Sequence, residues 1–212
     1  MEIMEELVKE HLPDNIGLEW SGLSYQEKQA GGQTGIILSL VFIFVFLFLA
    51  ALYESWSIPI AVLLSLPVAA LGAYIGIAVC GLENDTYFQI GLVMLMGLAA
   101  KNAILIVEFA KDETDAGVNV LKATLHAARL RFRPILMTSF AFILGILPMV
   151  LASGPGSASR KAIGTGVFFG MLAAVFIGIQ LIPFFFITIY KAKNRLQAKK
   201  GNKEQKAIAQ QQ

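Results

Sequence analysis

The most constraining feature of this sequence is a series of five long apolar stretches separated by short polar breaks. They cover residues 36–52, 58–80, 86–109, 134–152 and 162–190. A helix rises about 1.5 Å per residue, so roughly 20 apolar residues cross the ~30 Å hydrocarbon core of a bilayer. These stretches are apolar on every helical face, which excludes a soluble helix with one side in water. The sequence therefore predicts an all-α membrane protein with about five transmembrane helices.

Two polar segments flank the predicted transmembrane domain, residues 35–190. The first, residues 1–34, begins with a charged amphipathic stretch at helical spacing and continues into residues 18–20, which are predicted as a short strand. It is too short to bury a core of its own, so we interpret it as a small α/β remnant of a larger extramembrane domain. The second, residues 191–212, is rich in Lys and Gln, which predicts a disordered tail.

Lysine and arginine are distributed unevenly between the two sides of the predicted membrane domain. Alternate loops share a side, and cytoplasmic loops carry an excess of Lys and Arg. Twelve basic residues lie in the 110–133 segment and the tail, against four on the other side, namely Lys9, Lys28, Arg160 and Lys161. The sequence therefore predicts a cytoplasmic C-terminal tail and an outward-facing N-terminal segment.

Lys101 is the most informative polar residue, because it lies inside the third apolar stretch, about eight residues or roughly 12 Å from its end. An ionised lysine at this depth costs several kcal/mol, and such residues usually face a partner or a water path. The alternative is snorkelling, in which the long side chain reaches the headgroup region and has no further role. Both interpretations stay open on the residues alone.

Arg131 and Thr138 are seven residues apart, so they are predicted to share a helical face at the start of the fourth stretch. Arg129, Arg131 and Arg133 are also typical of positive-inside anchors. Thr138 alone is typical of a threonine that bonds its own helix backbone.

Two pairs of glycines, Gly72/Gly76 and Gly166/Gly170, are spaced to allow close helix approach, and they predict packing rather than a ligand site. Soluble-enzyme signatures are missing: the sequence has no phosphate loop, no paired carboxylates and no catalytic triad. One cysteine and two histidines without ligand spacing predict no metal site, and no cofactor is predicted. The basic clusters adjoin membrane segments, which does not favour nucleic-acid binding.

Several motifs carry a family resemblance. The long ones are AALYESWSIP at residues 50–59, GLAAKNAILIVEFAKD at 97–112 and RFRPILMTS at 131–139. They resemble the resistance-nodulation-division transporters, specifically hydrophobe/amphiphile efflux pumps of the AcrB type. GTGV at 164–167 also fits, and LSYQE at 23–27 resembles the exit from the second half of the periplasmic porter domain. The similarity covers nearly the whole chain except the tail.

The resemblance implies that the five stretches correspond to helices eight to twelve of a twelve-helix drug/proton antiporter. In that family a lysine on helix ten contacts aspartates on helix four, and the contact changes with their protonation. Lys101 occupies the lysine position. Arg131 and Thr138 occupy helix-eleven positions associated with the same proton pathway.

The resemblance also implies a multi-pass protein of the bacterial inner membrane that works as a homotrimer with a periplasmic adaptor protein and an outer-membrane channel. Its substrates would be hydrophobic and amphiphilic drugs. Full-length pumps are several times longer, and the paired aspartates have no counterpart here, because the apolar stretches contain no embedded acid and Glu108 only ends the third. We therefore expect the isolated chain to be an inactive fragment.

Two alternatives remain open at this point. A related exporter of metals, lipids or solvents would share the membrane helices, because the substrate pockets of these pumps lie in the porter region. A noncatalytic membrane assembly or scaffold subunit would use the glycine pairs for helix contacts and transport nothing.

Overall fold

The computed structural model describes residues 2–11, 13, 18–22, 25 and 34–209. Its helices are α1 (Glu2–His11), α2 (Thr34–Tyr53), α3 (Ile58–Leu63), α4 (Leu66–Cys80), α5 (Thr86–Asp115), α6 (Val120–Val150), α7 (Ser157–Ala173) and α8 (Ile179–Ala209), with a π-helical turn, Ala174–Gly178, between α7 and α8. The described residues contain no β-strand. Residues 18–20, for which a strand is predicted, have no regular structure, because no second described segment pairs with them.

Five helical segments are long and apolar enough to cross a membrane. They are Gly35–Tyr53, Ile58–Cys80, Thr86–Asp115, Val120–Val150 and Ser157–Asn194. The predicted all-α class with five membrane-crossing helices is therefore confirmed. The second segment is interrupted between α3 and α4, because Pro67 has no N–H to donate to the carbonyl of Leu63 four residues earlier.

Helices α6 and α8 extend farthest beyond the apolar stretches that predicted them. The amphipathic segment 111–133 is predicted to form a separate surface helix, but it forms the end of α5 and the start of α6 instead. Helix α6 begins at Val120, where the side chain of Asn119 accepts a hydrogen bond from the Leu121 N–H. Helix α8 continues to Ala209, although disorder is predicted for the tail after residue 190. The tail is rich in Ala, Lys and Gln, which are all good helix formers.

Helix α7 lies at the centre of the packing, against α4, α5 and α6. A Cβ atom added at Gly72 would clash with the Cβ of Ala173 and lie 2.9 Å from the carbonyl oxygen of Phe169. A Cβ atom at Gly166 would lie 2.7 Å from the ring of Phe88. Real Cβ atoms do not approach other atoms so closely, so the helices meet here only because the residues are glycines. The packing interpretation of the glycine pairs is confirmed.

The turn before α5 supports a prediction about stability. Asp85 is the N-cap of α5, and its Oδ1 accepts a hydrogen bond of 2.7 Å from the backbone N–H of Phe88. Asp85→Ala is expected to lower the free energy of unfolding of the chain in detergent micelles by about 1 kcal/mol. Glu83→Ala in the same turn is the matched control, because the exposed Glu83 side chain makes no described hydrogen bond. Equal losses in the two variants would contradict a capping role.

Candidate functional site

Lys101 opens onto a small pocket between three of the membrane-crossing helices. The pocket has a volume of about 90 Å³ and is lined by Leu98, Lys101 and Asn102 of α5, by Thr138, Ser139 and Phe142 of α6, and by Met171 of α7. Three of these lining residues are apolar, and the four polar ones form two pairs of sequence neighbours, one on α5 and one on α6. The structure therefore brings Lys101 and Thr138, which are 37 positions apart in the sequence, to one site.

The side chain of Lys101 is exposed, and it has no ion pair or hydrogen bond with residues 35–194, whose side chains the structure describes. No acidic residue lines the pocket. The ion pairs described within these residues lie near the end of α5, where Lys111 contacts Asp115 at 3.1 Å and His126 contacts Glu113. The ammonium group of Lys101 is thus available to a carboxylate from outside the described helices.

Thr138 bonds its own helix, as the simpler interpretation expects. Its hydroxyl lies 3.2 Å from the carbonyl oxygen of Pro134 and 3.1 Å from that of Ile135. The donated proton goes to the helix backbone, which leaves the lone pairs of the hydroxyl oxygen free to accept a hydrogen bond. Thr138 can therefore accept a hydrogen bond in the pocket while it donates to the backbone.

Arg131 does not reach the pocket. Seven residues along α6 separate it from Thr138, about 10 Å along the helix axis. Its guanidinium carbon lies 5.3 Å from the centre of the Phe109 ring, a distance that fits a cation–π contact. Its Nε is buried and has no hydrogen-bond partner in the described part of the chain. Of the three predicted site residues, Lys101 and Thr138 line one pocket, and Arg131 lies farther along the same α5–α6 interface.

Sequence reasoning missed two further polar residues of the site. Asn102 is 5% exposed and Ser139 is 2% exposed, and the Asn102 Nδ2 donates to the Ser139 Oγ over 3.3 Å. Each follows a predicted site residue directly in the sequence, Lys101 in one case and Thr138 in the other. Both residues are polar and lie inside stretches that are otherwise apolar, and this pattern could have predicted them as site residues.

The chain is similar to known transporters along most of its length. Residues 1–190 match the sequence profile of the AcrB/AcrD/AcrF family. The chain is 52% identical over 184 residues to the toluene efflux pump membrane transporter TtgB of Pseudomonas putida, an alignment that covers 87% of this chain and 18% of TtgB. It is 49% identical over 190 residues to the multidrug export protein AcrF of Escherichia coli, covering 89% of this chain and 18% of AcrF. The multidrug resistance protein MdtF of the same organism matches to the same extent. The chain spans less than a fifth of the length of these relatives.

Proposed function

Since the chain belongs to the AcrB/AcrD/AcrF family, we propose that it is the C-terminal portion of an inner-membrane transporter that exports hydrophobic and amphiphilic drugs in exchange for protons. The relatives are named as efflux pumps and multidrug export proteins, so the family consists of transporters rather than enzymes. Lys101 is the observation that carries the proposal. It is a cation within a membrane-crossing helix, it lines a pocket with Thr138, and it has no partner among the described side chains of residues 35–194.

The proposed chemistry is an electrostatic switch. A carboxylate supplied by the rest of the transporter would attract the Lys101 ammonium group, and protonation of that carboxylate would remove the attraction. Two unit charges about 4 Å apart interact by about 4 kcal/mol at an effective dielectric constant of about 20. An energy of this size shifts a two-state equilibrium by about a thousandfold, which is enough for proton binding to drive a conformational change.

Thr138 and Arg131 are proposed to act in different ways, because Thr138 lines the pocket and Arg131 does not. Thr138 offers a hydroxyl oxygen at the pocket, where it can accept a hydrogen bond from Lys101 or from a water molecule. Arg131 lies two turns farther along α6 against Phe109, so its positive charge acts on the pathway from a distance or contacts a part of the transporter outside this chain. All three residues are proposed members of the proton relay.

The proposed topology places the tail and the 53–57 turn together on the cytoplasmic side. The Nζ of Lys193 donates to the Oγ of Ser55 over 3.2 Å, so these two segments lie on the same side of the membrane domain. The excess of basic residues in the 110–133 segment and in the tail supports a cytoplasmic location. We extend the proposal to a homotrimer that works with a periplasmic adaptor and an outer-membrane channel.

Solvent export is the second candidate function. The relatives that are 52% identical to this chain include proteins named as a toluene efflux pump and a multidrug/solvent efflux pump. Drugs and solvents are both apolar cargo, and a proton-coupled membrane domain would serve either one. The same test therefore includes toluene tolerance beside drug resistance.

The proposal is tested in a chimaera in which this chain replaces the matching C-terminal region of Escherichia coli AcrF, expressed in cells without their own multidrug exporters. We expect drug resistance to return and to disappear when the proton gradient is dissipated. The chain expressed alone is expected to confer none. Resistance that persists without a proton gradient would reject proton coupling, and a chimaera that reaches the membrane without exporting would count against the assignment.

A further inference from the structure

Two dipeptides face each other across the α5–α6 interface. Lys101-Asn102 lies on α5 and Thr138-Ser139 lies on α6, and all four residues line the same pocket. In each dipeptide the first residue is exposed, and the second is buried between the helices. The two buried residues are hydrogen-bonded to each other, which places the two exposed residues on the same side of that bond.

This hydrogen bond is unusual among the contacts between α5 and α6. A second side-chain hydrogen bond between these helices joins His126 and Glu113 near the α5–α6 turn, where His126 is 58% exposed. The Asn102–Ser139 bond, in contrast, joins two side chains that are both buried between the helices. Buried apolar residues of both helices cluster together as well, Ala99 with Ile143 in one cluster and Ala103 with Ile135 in another.

The position of this bond matters because apolar contacts alone specify register poorly in a membrane. Lipid tails are as apolar as helix side chains, so apolar surface gains little by facing another helix rather than lipid. A shift of one residue along a helix moves a side chain by about 1.5 Å and rotates it by about 100°. Such a shift of α5 would turn Lys101 away from Thr138 and would leave the Asn102 amide unbonded in apolar surroundings.

We propose that Asn102 and Ser139 are positioning residues that hold α5 and α6 in the register at which Lys101 and Thr138 share one pocket. Their hydrogen bond keeps the relay groups aligned, and losing it uncouples proton movement from export without weakening drug binding. The inference about coupling rests on the proposed function. The inference about register does not, because it concerns two helices contained in this chain.

The register is measured on the complete chain in micelles. Nitroxide labels are attached at Lys101→Cys and Thr138→Cys, after Cys80→Ala removes the exposed native thiol. The parent is expected to show one main distance between the labels. Asn102→Leu and Ser139→Ala are each expected to raise the population at other distances about fivefold, as expected for loss of one interhelical hydrogen bond in a membrane. Distance distributions that are identical in the parent and both variants would overturn the proposal.

The coupling is measured in the AcrF chimaera. Asn102→Leu and Ser139→Ala are expected to lower the export rate at saturating drug about fivefold, while the drug concentration that gives half the maximal rate stays unchanged. The exchanged pair, Asn102→Ser with Ser139→Asn, restores an amide and a hydroxyl at the interface and is expected to recover most of the rate. Thr124→Ala is the matched control, because Thr124 is a buried hydroxyl on α6 that donates only to the backbone of Val120 in its own helix.

The two experiments test the register of the helices and the coupling to export independently of each other. An exporting chimaera whose maximal rate is insensitive to both variants overturns the coupling role. A higher drug concentration for half the maximal rate, with the maximal rate itself unchanged, overturns the coupling role as well, because it would place the pair in drug binding. A chimaera that never exports contradicts the proposed function, and the label distances still decide whether the pair sets the register.

Discussion

Lys101→Ala is expected to abolish the drug resistance conferred by the AcrF chimaera while leaving its amount in the membrane unchanged. The substitution removes the cation that the proposed carboxylates attract, and with it about 4 kcal/mol of conformational bias. A loss of that size lowers the driven population about a thousandfold. Cells should therefore grow no better than cells with an empty vector. Inhibitory drug concentrations and quantitative blots of membrane fractions measure the two quantities.

The same substitution is expected to have the opposite effect on the stability of the isolated chain. Lys101 is exposed and pairs with no described side chain of residues 35–194, so it would face lipid or detergent. Removing a lysine from the middle of a membrane-crossing helix relieves a cost of about 2.5–3.5 kcal/mol on an insertion scale. Loss of function with a gain in stability identifies a residue that is kept for its function.

Two further variants control the Lys101 experiment. Lys122→Ala removes an exposed lysine near the start of α6 that has no described partner, and it should leave resistance intact. Lys101→Met keeps most of the length of the side chain and removes its charge, so it should fail as Lys101→Ala does. Full resistance with Lys101→Ala would show that this lysine only snorkels, and the electrostatic switch would then be wrong.

Gly170→Leu is expected to disrupt the packing of the isolated chain. A Cβ atom at this position would clash with the Leu95 side chain and lie 3.0 Å from the carbonyl oxygen of Ala69. Helix α7 contacts α4 and α5 here, so a larger side chain must push both helices away. Overpacking of this kind costs about 3 kcal/mol, and the gain in helix propensity over glycine returns only about 1 kcal/mol. Unfolding of the chain in micelles, titrated with a denaturing detergent, measures the loss.

Gly145→Leu is the matched control for this packing experiment. Gly145 also lies inside a long membrane-crossing helix, but a Cβ atom built there meets nothing within 4 Å. The substitution is therefore expected to leave the free energy of unfolding unchanged or to raise it by up to about 1 kcal/mol. If the two leucine variants lost equal stability, the cause would be a general intolerance of the helices and not the α4–α5–α7 contact.

Helix ends were the least predictable part of the fold. The apolar stretches report where the chain meets lipid, whereas a helix continues as long as its backbone hydrogen bonds and side-chain propensities allow. Helix α6 therefore begins at Val120, although its apolar stretch starts near residue 134. The same reasoning explains why α8 continues through a polar tail to Ala209.

The sequence by itself determined the number of membrane-crossing helices and the family, and it predicted a role for Lys101. These are local properties: the bilayer thickness dictates the length of each apolar stretch, and a backbone in lipid must satisfy its own hydrogen bonds. Only the tertiary structure decided which polar groups meet. It joined Asn102 to Ser139, brought Thr138 to Lys101 and placed Arg131 against Phe109. Helices that are apolar on every face carry almost no signal for their rotation and register, so those depend on close packing and on single hydrogen bonds between distant parts of the chain.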